Sequence, residues 1–162
     1  MPVLQIIIAD THMGQSGLAV AQWFGERARE HAGFDVHLVN LAETDLDAAT
    51  VDAADAFVFI VEDDKRASAA SKFVTDSVDF PWLYKPLGVI SHGGQAGADH
   101  AIHEVLALLG ITRIDQSIAI EVGEFVPTEA MEVTAKAMLD ELWCLNPFLE
   151  ALRDWATASQ LA

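Results

Sequence analysis

Asp10 and His12 lie in the run Ala9-Asp10-Thr11-His12-Met13-Gly14-Gln15-Ser16-Gly17, Asp63 and Asp64 follow a short apolar run, and His92 precedes two glycines with Asp99, His100 and His103 close behind. Carboxylates and imidazoles brought to one place can hold a divalent metal or serve as general acid and base near neutral pH. The spacing argues against zinc. No HExxH-type pair occurs, and His100 and His103 stand three apart on a helical pattern, which suits solvated side chains as well as ligands. The reading is therefore of no metal site, with Asp10, His12 and His92 as the candidate catalytic residues.

These residues can meet only if the elements around them bring them together. Val3 to Ala9 is a continuous apolar, β-branched run, the mark of a strand covered on both faces. Ser16 to Ala32 follows as an amphipathic helix, with Val20, Phe24 and Ala28 at four-residue spacing and Gly33 as its stop. Phe34 to Leu41 reads as an edge strand with His37 toward solvent. Residues 42 to 50 read as irregular, Val51 to Asp55 as a short helical turn, and Ala56 to Val61 as a third strand ending in Glu62-Asp63-Asp64-Lys65. Ala67 to Val78 is read as helix, Leu87 to Ser91 as a fourth strand, Ala98 to Leu109 as helix and Ser117 to Val122 as a fifth strand. Thr128 to Leu145 is read as a long helix broken by Asn146-Pro147, with Phe148, Leu152 and Trp155 on a further short one.

This alternation predicts a doubly wound α/β fold with right-handed crossovers. In such a fold the strand-to-helix loops share the carboxyl edge of the sheet, and the first helix offers its free N–H groups to an anion there. Asp10, His12, Asp63, Asp64 and His92 all map to that edge. Trp23, Met131, Met138 and Trp143 fall at helical core spacing and are read as packing.

The 162 residues suit one domain, 1–162, in which 128–162 either covers the core or forms a subunit interface. The formal charge of −16, from 25 acidic against 9 basic residues, excludes nucleic-acid and anionic-membrane partners, which need clustered Lys and Arg. Cys144 is the sole cysteine, so neither an internal disulfide nor a thiolate cluster can form, and its apolar setting reads as an inert core thiol. Without a leader pattern or an apolar run of about 18 residues, a soluble, cytoplasmic protein is expected.

The first loop and helix resemble those of the NAD(P)H-dependent FMN reductase family, a flavodoxin-like group. Members read approximately G-S-T-R-P-G-R-x-G-x-x-V-A-x-W after the first strand, and Thr11, Gly14, Gly17, Val20, Ala21 and Trp23 coincide with that pattern. Glu62 matches the family's P-E-Y-N motif, and Lys72 and Asp76 match L-K-N-A-x-D. Lys85-Pro86 and Ser91-His92-Gly93-Gly94-Gln95-Ala96-Gly97-Ala98 resemble K-P followed by S-Y-G-G-x-x-G-G. The likeness runs from about Val3 to Val122.

The resemblance implies a five-stranded parallel sheet of order 2-1-3-4-5 with helices on both faces. It also implies FMN at the carboxyl edge, NADPH or NADH as hydride donor, a second small-molecule acceptor, and a homodimer or higher homo-oligomer. On this sequence the FMN-binding positions would be Thr11, His12, Gly14, Ser16 and Gly17 in the first loop. Glu62, Asp63 and Asp64 would provide the second loop, and Ser91, Gly93, Gly94 and Gly97 the third.

The departures concentrate in these loops. Asp10 stands where the family has serine, His12 where it has arginine, His92 where it has tyrosine, and the second loop lacks the family's Tyr and Asn. Three functional classes follow. The first is an FMN-dependent NAD(P)H oxidoreductase. The second is a flavin-free relative whose acidic, histidine-lined cleft binds another small molecule or performs acid-base chemistry, and the third is a non-catalytic scaffold or assembly partner.

Overall fold

The computed structural model describes residues 1–9, 15–62, 81–92, 112–120 and 124–160. Its elements, in chain order, are β1 (Val3–Ile8), α1 (Gln15–His31), β2 (Asp35–Asn40), α2 (Ala48–Ala53), β3 (Ala56–Glu62), β4 (Pro86–His92), β5 (Thr112–Ile120) and α3 (Glu129–Gln160). The helices read over 67–78 and 98–109 lie outside the described residues. The five strands form one parallel sheet in the order β2-β1-β3-β4-β5. This is the predicted order, and the departure from sequence order places the switch point between β1 and β3.

Alternation along the inner strands divides the core. Leu4, Ile6 and Ile8 of β1, Val58 and Ile60 of β3, and Ile90 of β4 face α1 and α3, meeting Val20, Phe24, Met138 and Leu142. Ile7, Phe57, Phe59, Leu87 and Val89 face the other way, onto Val51 of α2 and Trp82. Strands covered on both faces favour apolar side chains at nearly every position, with Gln5 the buried polar exception inside β1. Trp23 and Met138 pack into the core as predicted, and Met131 packs against it half-buried.

Five expectations are corrected. β5 begins at Thr112, five residues before the predicted start, because Arg113, Asp115 and Gln116 interrupt its apolar pattern while the backbone still pairs with β4. A bulge takes up the irregularity: β5 runs from Arg113 to Ser117 while β4 runs from Leu87 to Val89. The predicted turn at 51–55 is the helix α2 over Ala48–Ala53, started by the Asp47 carboxylate accepting from the Thr50 N–H at 2.7 Å. α1 stops at His31, and Ala32, rather than Gly33, takes the left-handed conformation past its end (φ 57°).

The largest correction concerns the carboxyl-terminal segment. α3 is one helix of 32 residues with Pro147 inside it. Leu142, Asn146 and Leu149 continue one buried stripe across the proline, so packing against the domain offsets the lost hydrogen bond and the clash, a cost of about 3 kcal/mol. The fifth concerns side chains on this helix: Cys144 is exposed rather than a core thiol, and Trp143 is half-exposed rather than packed.

Candidate functional site

The carboxyl edge of the sheet is defined by the ends of β1, β3 and β4. Ala9, just past β1, is buried and donates its N–H to the Ile60 carbonyl of β3 at 2.9 Å, while the Leu41 N–H bonds the Ile8 carbonyl at 3.1 Å. β1 is thus held on both sides up to the point where the first loop leaves. Glu62 and His92 are cross-strand neighbours at the ends of β3 and β4, and Ser91 sits between Val61 and Ala119.

From this edge the chain re-enters as α1, whose first turn holds Gln15, Ser16 and Gly17 and carries no acidic residue. The opening N–H groups of a helix have no partner within it, and the aligned peptide dipoles leave that end partly positive. A first turn without a carboxylate of its own adds no negative charge to this positive end, which suits an anion.

Gly17 and His92 meet there. His92 is 3% exposed, and a Cβ placed on Gly17 would lie 3.2 Å from its Nε2 and 3.5 Å from Ile8 Cγ2. The imidazole therefore lies on the first turn of α1, in space that glycine leaves free. Sequence reasoning named both residues separately and missed their contact, since residues 75 positions apart give no local sign of proximity. Of the remaining candidates, Ser16 is in the same first turn, and Glu62 and Ser91 are at the strand ends. Asp10, Thr11, His12, Gly14, Asp63, Asp64, Gly93, Gly94 and Gly97 lie outside the described residues, as do Asp99, His100 and His103.

The same architecture occurs in solved flavoproteins and oxidoreductases. An oxidoreductase from Corynebacterium diphtheriae superposes with a TM-score of 0.71 at 14% identity, covering 90% of this chain and 97% of that one. An NADH:FMN oxidoreductase in its apo form gives 0.71 at 12% identity, covering 89% of each chain. A flavodoxin from Streptococcus pneumoniae TIGR4 gives 0.63 at 20% identity, covering 86% of this chain and 97% of that one. The fold is flavodoxin-like. No protein-family model matches the sequence, and no curated protein matches it.

Two polar clusters of this flavodoxin-like domain lie away from the carboxyl edge. Between α1 and α3, Trp23 Nε1 donates to Glu132 Oε1 at 2.9 Å, Arg27 pairs with Glu132 at 3.4 Å, and His31 Nε2 contacts Asp140 Oδ1 at 2.9 Å. Arg27, His31 and Glu132 of this cluster, with Glu30, Lys136 and Leu139, border a cavity of about 250 Å³. Hydrogen bonds from Lys136 and then His31 hold the Asp140 carboxyl below the usual carboxylate range. The cluster joins two helices on one face of the sheet.

The second cluster lies at the amino edge, opposite the candidate site. Lys85, matched in sequence only as half of a Lys-Pro pair, is 3% exposed and donates to the Val51 and Asp52 carbonyls at the end of α2 (2.5 and 2.8 Å). Burial, and then the nearby Arg153 charge, push its pKa down to about 8 against the opposing pull of Asp52 and Asp55. Asp55 accepts from the Val3 N–H at 2.8 Å and pairs with Arg153 at 3.5 Å, and Arg153 donates to the Tyr84 carbonyl at 2.8 Å. This network fixes the start of β1 to the far part of α3. No helix among the described residues is long and apolar enough to cross a membrane.

Proposed function

We propose that this chain is an FMN-binding oxidoreductase that takes hydride from NADPH or NADH and passes it to a small-molecule acceptor, in a cytoplasmic setting. The observation that carries the reading is the β1–α1 junction at the switch point. There a strand held on both sides feeds a helix whose first turn has no carboxylate, in a fold shared with an NADH:FMN oxidoreductase and with flavodoxins.

The first turn of α1, which carries no carboxylate, is compatible with a phosphate-bearing cofactor at that junction. The first-turn amides of α1 would hold the phosphate, with Thr11, His12 and Gly14 completing the loop, and the ends of β3 and β4 would flank the ring. Bound flavin would supply reversible hydride acceptance, and the protein would contribute position and electrostatics. His92 acts as a positioning residue in this reading, fixing the spacing between the end of β4 and the first turn of α1.

The test is a fluorescence titration of the purified chain with FMN, followed by NADPH and NADH oxidation with and without added FMN. Quenching that saturates at micromolar FMN, with nucleotide oxidation that depends on FMN, is the expected result. Failure to bind at millimolar FMN would refute the reading.

A further inference from the structure

α3 is longer than the sheet it covers. Its 32 residues span about 48 Å, whereas the seven residues of β4 span about 23 Å. The Arg153 contacts with Tyr84 and Asp55 place that residue at the amino edge, so the final turns extend beyond the strands, with Arg153, Ala156, Thr157 and Gln160 flanking residues 52–55 and 81–85 on one side.

Over this stretch Cys144, Phe148, Ala151, Leu152, Trp155 and Ser159 recur at four- and three-residue intervals and form one side of the helix. All six are exposed, with Phe148 at 72%, Trp155 at 66% and Leu152 at 44%. The buried stripe of Leu142, Asn146 and Leu149 lies on another side. Among the described residues, none covers this face. We propose that a second copy of the chain docks on it, forming an antiparallel helix pair about a two-fold axis that passes between Ala151 and Leu152.

Three observations select a second copy. The face is symmetric in sequence about that axis: antiparallel pairing sets Phe148 against the other copy's Trp155, Ala151 against Leu152, and Cys144 against Ser159. A two-fold interface requires such self-complementarity, and the small residue at the centre lets the helices approach. Charge points the same way. The chain carries −16, but from Leu142 onward only Glu150, Arg153 and Asp154 are charged, a net −1, and none falls on this side of the helix. Two copies therefore meet where their mutual repulsion is least.

Area is the third. With about 150–250 Å² per aromatic side chain, the exposed parts of Phe148, Trp155 and Leu152 offer about 350 Å² per copy. That is a sufficient apolar centre for an interface of about 800 Å² per partner. The proposal is independent of flavin binding.

Light scattering and sedimentation at micromolar concentration test it, with an expected mass of twice the 17.5 kDa chain. Phe148→Glu and Trp155→Glu, both at well-exposed positions, should each weaken the dimer by about 100-fold or more while far-UV circular dichroism stays unchanged. Cross-linking fixes the orientation. Across the proposed axis the two Cys144 residues stand about 22 Å apart, beyond disulfide reach, so the unmodified chain stays uncrosslinked. Ser159→Cys should give a covalent dimer through Cys144 on mild oxidation. A monomer at these concentrations, a dimer that both glutamate variants leave intact, or cross-linking through Cys144 alone would each overturn the proposal.

Discussion

Replacing Gly17 with alanine sets helix propensity against packing, and the structure gives the size of each. Gly17 is the third residue of α1, where alanine gains part of the roughly 1 kcal/mol by which it outranks glycine in a helix interior, about 0.5 kcal/mol at an end. Opposing this, the new methyl would lie 3.2 Å from His92 Nε2 and 3.5 Å from Ile8 Cγ2. Restoring ordinary contact requires the imidazole to shift by a few tenths of an ångström. At 3% exposure it has little room, and overpacking of this kind costs about 1–3 kcal/mol. Gly17→Ala should therefore destabilise the protein by about 1 kcal/mol. In a His92→Ala background the clash is gone, and the same change should stabilise by about 0.5 kcal/mol. Urea unfolding of the four proteins in this double-mutant cycle measures the coupling, expected near 1.5 kcal/mol. Equal effects of Gly17→Ala in both backgrounds would refute the placement of His92 on the first turn of α1, and with it the spacing assigned to the candidate site.

Other outcomes follow from the amino edge and the helix ends. Lys85 releases its proton near pH 8 when folded and near 10.5 when unfolded, so across that window unfolding takes up a proton and stability rises with pH. At about 1.4 kcal/mol per unit the rise approaches 3 kcal/mol. Urea midpoints at pH 7.5 and 10.5 should show it for the native chain and not for Lys85→Met, and parallel pH dependence of the two proteins would contradict it. Ala32→Gly should stabilise by about 1 kcal/mol, because Ala32 is exposed and holds a left-handed φ that costs a side chain about 1–2 kcal/mol. A thermal melt showing no gain would count against that backbone conformation.

Much of the fold was legible because the inner strands and α1 announce themselves locally. Ile6, Ile7, Ile8 and the run from Ala56 to Val61 are apolar throughout since both faces of the sheet are covered, and their order followed from the resemblance that runs from about Val3 to Val122. What escaped depends on distance along the chain or on where the body of the domain ends. Nothing local marks Arg113 to Gln116 as strand, because their pairing is with β4. Pro147 looks like a helix terminator until the buried stripe on either side of it is known. Trp143, Cys144 and Phe148 have the composition of core residues, but helical periodicity carries no record of how far the sheet extends, and α3 outruns it. At the site, residue types in the first loop were readable, whereas the contact of His92 with Gly17 and the burial of Lys85 are products of tertiary packing.

The first loop poses an electrostatic problem that the helix end alone does not solve. The amino terminus of α1 attracts an anion with about 0.3–2 kcal/mol. A carboxylate at about 5 Å repels each phosphate charge by about 3 kcal/mol at an effective dielectric of about 20. An Asp10 side chain turned toward the phosphate would therefore outweigh the helix, and the imidazole of His12 offsets it only when protonated. The double variant Asp10→Ser, His12→Arg should therefore tighten FMN binding by about tenfold or more at pH 8, measured by isothermal titration calorimetry. If native chain and variant bind FMN equally, neither Asp10 nor His12 faces the phosphate, and the anion-binding role falls to the α1 amides and the remaining loop residues.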